Sequence, residues 1–231
     1  DLDFFLSLMN YLSSQGIKCP TPIKNSSLNY IGKIKSKPAA LLTFLNGKST
    51  LNIKKNHTFE IGKVLAEMHI STKDFPMKKK NDLSIIGWEK LLIKNKDKIN
   101  KFESNLFEKI KNKIIKIKEK WPKNLPSGII HGDLFPDNVL FKEEKVSGLI
   151  DFYFSCNYFF ICDLCICINA WCFNEKNELK KDFFNNLIRG YQSVRKLEKE
   201  EIILIPFLCH ASSLRFFLTR IDNWKNKNDL D

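Results

Sequence analysis

Hydrophobic positions recur at helical spacing in the first fifteen residues, where Phe5, Leu8, Met9 and Leu12 share one face and Gly16 stands ready to close the helix. Pro20 and Pro22 then interrupt the pattern. After Lys37-Pro38, the unbroken apolar run Ala39 to Leu45 predicts a buried strand ending at Asn46-Gly47. Ile61, Val64, Leu65 and Met68 mark a helix from His57 to His69. Two more helices are expected around Trp88–Asn95 and Ile99–Lys120, the second carried by Phe102, Leu106, Ile110, Ile114 and Ile117. At Trp121-Pro122 the period changes. Gly128-Ile129-Ile130 is a short strand, and Val139–Phe141 and Val146–Ile150 bracket the polar turn Lys142–Lys145 as a hairpin. Beyond it the chain is predicted helical in segments near 161–173, 177–195 and 199–225. The pattern is α+β, with strands set in a mostly helical body (residues 48–231). The opening helix and early strand (residues 1–47) belong to a smaller unit that stands apart.

Composition changes the picture little. The formal charge is +12, yet only Arg189, Arg195, Arg215 and Arg220 among 38 basic residues are arginine. Readers of phosphate and base edges rely on the planar guanidinium, and here the lysines are scattered, so no nucleic-acid partner is expected. Five of seven cysteines fall between Cys156 and Cys172 inside an apolar run without His at zinc-site spacing. They are expected to pack as small hydrophobes in a reducing, cytoplasmic setting. The longest apolar stretch, Phe159 to Phe173, contains Asp163 and is shorter than the about 20 residues a bilayer span needs, so no membrane association is expected.

The informative stretch is Ile130-His131-Gly132-Asp133-Leu134-Phe135-Pro136-Asp137-Asn138-Val139-Leu140-Phe141, followed by Ile150-Asp151-Phe152. Phosphoryl transfer from ATP needs one carboxylate beside the acceptor hydroxyl, and a second carboxylate with an amide oxygen to hold Mg2+. A loop between two strands can turn Asp133 and Asn138 into one cleft, and the hairpin returns Asp151 beside them. Asp133 is the candidate base, Asn138 and Asp151 the candidate metal ligands. His131, in the same catalytic segment, is expected to brace the loop rather than to titrate.

These residues resemble the family of small-molecule kinases that includes aminoglycoside phosphotransferases and choline kinase. Gly62 to His69 is similar to the family's helix ending in His, and Asp163-Leu164 stands where the family places an Asp that supports the catalytic loop. Both His69 and Asp163 are expected to be structural. Within the family, His131–Phe141, Gly148–Asn157, Asp163–Phe173, Gly190–Arg195 and Leu214–Arg220 are similar to homoserine kinases of this type. The resemblance implies a protein-kinase-like, two-lobed fold, ATP and Mg2+ as cofactors, and transfer of the γ-phosphoryl group to L-homoserine, a step toward threonine. It implies that Thr43, Phe44 and Leu45 form the hinge that meets the adenine. The chain opens in what resembles the helix after the phosphate-gripping lysine, so most of the small lobe is expected to precede it and no Lys here is given that role. The nine glycines form neither G-x-G-x-x-G nor a P-loop. The family often has Ala at position 132, which is expected to matter little at a loop.

For an amino-acid acceptor, Arg215 and Arg220 are the candidate partners of the carboxylate. Asn157 is a further candidate for substrate contact, although Tyr158 follows it where the family pattern would have an acidic residue. Trp171 and Tyr153 belong either to the pocket wall or to the core. The mixed or basic helices after residue 173 weigh against a polycationic substrate. Another small alcohol as acceptor, and a catalytically silent kinase-fold module, stay open as alternatives, as does the oligomeric state.

Overall fold

The computed structural model describes residues 1–224. α1 (Leu2–Ser14) buries Phe4, Phe5, Leu6, Leu8, Met9 and Leu12, and Gly16, at φ +85°, turns the chain away from it. β1 (Pro22–Ile23), β2 (Gly32–Ile34), β3 (Lys37–Ala39) and β4 (Leu41–Leu42) form two antiparallel ladders, β1 with β4 and β2 with β3. The run from Ala39 to Leu45 is therefore not one buried strand. It breaks at Ala40, and Leu41 and Phe44 are 66 % and 92 % exposed. Pro38, paired with Lys33, has no amide hydrogen to give a second neighbour, so β3 cannot lie inside a wider sheet.

α2 (Lys55–Ser71) covers the expected His57–His69 helix, and α3 (Ile85–Lys94) the one near Trp88. The long helix expected over Ile99–Lys120 is two, α4 (Lys96–Phe102) and α5 (Leu106–Glu119). Asn105 separates them at φ +63°, a left-handed conformation that asparagine tolerates, and Asn100 Oδ1 accepts the Phe107 N–H to turn the corner. β5 (Ser127–Ile130) precedes the hairpin of β6 (Val139–Lys142) and β7 (Lys145–Leu149). Next comes β8 (Cys156–Phe159), a strand where only helix was expected, paired antiparallel along the whole of β5. A short apolar run has no period that separates a strand from a buried helix, and only the partner decides.

α6 (Phe160–Trp171), α7 (Lys181–Gln192) and α8 (Lys199–Asn223) complete the described chain; Lys225, the expected end of the last helix, lies outside the described residues. α8 is long and apolar enough to cross a membrane by length and composition. Here it is shared between two cores. Ile205 and Leu208 join α1, α2, α6 and α7, while Ala211, Leu214, Leu218 and Ile221 close a second core over α3–α5. α1 does not stand apart as expected. Its apolar face lies in the same core as Leu134 and Phe152, and the Leu149 N–H donates to Lys18 O at 2.9 Å. Gly62 of α2 and Gly190 of α7 let these two helices cross with backbones touching. A Cβ on Gly62 would stand 2.0 Å from Leu187 O, and one on Gly190 2.0 Å from Phe59 O.

Candidate active site

Between β5 and β6 the chain makes a loop whose inner side is tied to α6. Gly132 turns it at φ +79°. Asp163, fully buried in the first turn of α6, accepts the His131 N–H at 2.7 Å on Oδ2 and the Gly132 N–H at 2.9 Å on Oδ1. Trp171 Nε1–H and the Cys167 thiol both donate to Leu134 O, at 2.8 and 3.8 Å. Trp171 is thus a core residue, and the cysteines of α6 pack as the apolar run predicts. Burial alone would raise the pKa of Asp163. The His69 hydrogen bond, the neighbouring histidines and the Gly132 N–H outweigh burial and hold the carboxyl below its usual range.

His69, at the end of α2, lies 3.1 Å from Asp163 through Nε2 and 2.8 Å from the Tyr191 hydroxyl through Nδ1. Arg195 donates to that hydroxyl at 3.3 Å and forks onto the fully buried Glu201 at 3.1 and 3.0 Å. A polar chain thus runs from the loop through α2 and α7 to the start of α8. Burial keeps His69 neutral by lowering its pKa, and one tautomer satisfies the chain: Nε2–H donates to Asp163 while Nδ1 accepts from Tyr191. His131 is tied into the loop on both ring nitrogens. Its Nε2 lies 3.0 Å from Ile150 O and its Nδ1 accepts the Asp133 N–H at 3.3 Å, and burial lowers its pKa.

The outer side carries the groups that remain free. Asn138 directs its amide nitrogen at Asp133, 2.8 Å to the backbone oxygen and 3.2 Å to Oδ2, which leaves Oδ1 for a ligand. The Ile150 N–H donates to Asn138 O at 3.0 Å, so the hairpin delivers Asp151 beside Asn138. Asp151 is exposed and left-handed at φ +64°. Burial pushes the Asp133 carboxyl up to about 6. Arg215 and the Asn138 amide pull it back, while Asp151 and Asp137 push it further up. The three predicted residues thus converge, and the hard oxygens of Asn138 and Asp151 suit Mg2+.

Asp133 opens onto a cleft of about 350 Å3 lined also by Asp137, Phe154, Phe216, Thr219 and Arg220. Arg220 is exposed and, among the described residues, forms no ion pair. Arg215 lines the same cleft but is buried and donates through Nη1 to Gly132 O at 2.7 Å, so it holds protein and not an open carboxylate site. Asn157 is not in this cleft. Its Oδ1 accepts the Lys79 N–H at 2.8 Å and its own N–H donates to Lys79 O at 2.8 Å, and it lines a different cavity. Tyr153 is exposed and packs edge-on against Phe5. In the expected hinge, the Thr43 N–H donates to Thr21 O at 2.9 Å, so Thr43 has no amide hydrogen left for a base. Leu45 leans on Gly148, and Lys48 exchanges both backbone bonds with Phe141, which sews this segment to the hairpin that carries Asp151. Position 132 is not indifferent. A Cβ there would stand 2.7 Å from Phe154 O on a backbone that favours glycine.

Asp137, Tyr191, Arg195 and Glu201 were not singled out by sequence reasoning. Tyr191 and Arg195 are one helical turn apart, a spacing that could have flagged them as a pair; Glu201 has no such signal.

Residues 1–197 match the phosphotransferase enzyme family. Over 97 % of its length the chain is 44 % identical to a homoserine kinase of Rhizobium etli, of which it covers 70 %. It is 42 % identical to one of Rhizobium meliloti over 97 % of this chain and 69 % of that one. Among solved structures, an amicoumacin kinase in complex with AMP-PNP, Ca2+ and Ami superposes with a TM-score of 0.73 at 14 % identity, over 97 % of this chain and 71 % of that one. An AMP-bound spectinomycin phosphotransferase gives 0.72 at 16 % identity, over 99 % and 77 %. At these identities the likeness is one of fold, and the fold is the protein-kinase-like one.

Proposed function

The chain belongs to the phosphotransferase enzyme family, and we propose that within it the protein is a homoserine kinase, moving the γ-phosphoryl group of ATP to the hydroxyl of L-homoserine. The observation that carries this reading is that Asn138 bonds Asp133, which lines the cleft, and that the hairpin brings Asp151 beside Asn138, in a chain 44 % identical to a protein of that activity. Asp133 orients the acceptor hydroxyl and takes its proton as the new P–O bond forms and the bond from phosphorus to the ADP oxygen breaks. With its pKa raised to about 6, it is ionised at neutral pH yet more basic than an exposed carboxylate. Asn138 Oδ1 and the Asp151 carboxylate are the residues that would hold Mg2+, which neutralises phosphate charge when bound. Two protein ligands suit an ion that keeps waters and phosphate oxygens for the rest. Phe44 and Leu45 offer the backbone groups for the adenine.

In the same cleft Arg220 is the partner for the acceptor carboxylate, and Asp137 supplies a negative charge for its ammonium. The reaction places the protein one step on the way to threonine, in the cytoplasm.

The test is ADP release by the full natural polypeptide with Mg·ATP and, side by side, L-homoserine, choline, kanamycin and a simple sugar, with Asp133→Ala as control. Turnover confined to homoserine is expected. Turnover with another acceptor breaks the substrate reading and keeps the chemistry. Silence with all four turns the reading to a non-catalytic binding module.

A further inference from the structure

Gly132, the residue before the base, is held at both of its peptide groups by buried ions of opposite sign. Its N–H donates to Asp163 Oδ1 at 2.9 Å, and its carbonyl accepts from Arg215 Nη1 at 2.7 Å. That carbonyl belongs to the peptide that carries Asp133. Arg215 comes from the middle of α8, only 8 % exposed, with Phe216 at 4.5 Å and Phe154 at 5.7 Å from its guanidinium carbon.

The guanidinium looks two ways. One side borders the cleft of Asp133 and Arg220. On the other, Nε is cut off from solvent and has no protein partner, and neither has Ser212 Oγ one turn earlier on α8. Both residues line a small cavity of about 30 Å3 beside Cys162, Ile166 and Tyr158. A cavity of roughly 10–15 Å3 or more between polar groups is enough for a water, and two orphaned polar atoms facing one void are what such a water satisfies.

We infer that Arg215 is a positioning residue for phosphoryl transfer: anchored through an internal water shared with Ser212, its guanidinium locks the Gly132–Asp133 peptide on which the base is carried. This rests on the reading of Asp133 as base. A substrate-binding arginine would act otherwise. Its loss would raise the KM for the acceptor and spare kcat.

The experiment compares Arg215→Met, Arg215→Lys and Ser212→Ala with Asp133→Asn in the full natural polypeptide, each first checked for folding by thermal melting. Arg215→Met is expected to lower kcat about a hundredfold, the scale of a misplaced catalytic group, with the KM for Mg·ATP unchanged. Arg215→Lys is not expected to restore kcat, because a point ammonium cannot take both the carbonyl and the water. If Arg215→Met does not fold, the lysine variant carries the test alone. A wild-type kcat, or a loss confined to the acceptor KM, overturns the inference. Full turnover in Asp133→Asn would instead remove the base on which it rests. A high-resolution crystal structure is expected to show a water within hydrogen-bonding distance of Arg215 Nε and Ser212 Oγ, and an empty cavity overturns the anchoring.

Discussion

The two sides of the loop from His131 to Asn138 differ in what they do with polar groups. The inner side is buried, and the polar groups around Asp163 are paired. Asp163 accepts three donors, His69 passes the chain to Tyr191, and Arg195 closes it on Glu201. The outer side leaves Asp151, Asp137 and Arg220 exposed and holds Asp133 half-buried with a pKa pushed up to about 6. A buried ion with every hydrogen bond met fixes geometry; a carboxylate whose charge is partly disfavoured is poised to take a proton. The inner side therefore governs stability and the outer side turnover.

The sharpest break of this contrast is Asp133→Asn. It is expected to lower kcat by about 10³-fold or more, without loss of melting temperature at pH 7. The sign follows from the raised pKa. The folded state prefers the protonated carboxyl, so this group's favourable contribution is complete below the unfolded value of 3.8 and is lost as pH rises through about 6. The neutral amide avoids that loss. Next, Asp163→Ala strands three buried donors and is expected to cost about 3–5 kcal/mol, read as a lowered denaturation midpoint. A midpoint within experimental error of wild type would show that the inner network is not structural. Asp151→Asn should leave the melt unmoved and raise the Mg2+ concentration for half-maximal activity about tenfold or more. Gly132→Ala forces a side chain onto a positive φ against Phe154 O and is expected to cost about 2 kcal/mol, or roughly 4–8 °C in melting temperature. The gentlest probe is pH, since kcat/KM should rise with an apparent pKa near 6 as Asp133 ionises. A flat profile from pH 5 to 7 would remove Asp133 as the titrating base.

Legibility in the sequence followed distance along the chain. The helices at 1–15 and 57–69 and the hairpin at 139–150 carry their period in a few successive residues, and they stand where the period put them. β8 was hidden because its four residues resemble the start of α6, and only pairing with β5 makes them a strand. The break at Asn105 was hidden because the apolar stripe continues through it. Asn157 was read for a substrate contact because polar groups in a catalytic segment invite that reading, while its partner, Lys79, lies 78 residues away.

The sequence alone determined which polar residues the loop and hairpin bring together. Asp133, Asn138 and Asp151 lie on one loop and one hairpin, so covalent connectivity and strand pairing bring them together almost regardless of the rest. Only the tertiary structure decided what holds them. His69, Asp163, Tyr191, Arg195 and Arg215 meet because Gly62 and Gly190 let α2 and α7 touch and because α8 runs beneath the loop. Such partners are set by how close helices can pack, a property of whole surfaces that no local spacing encodes.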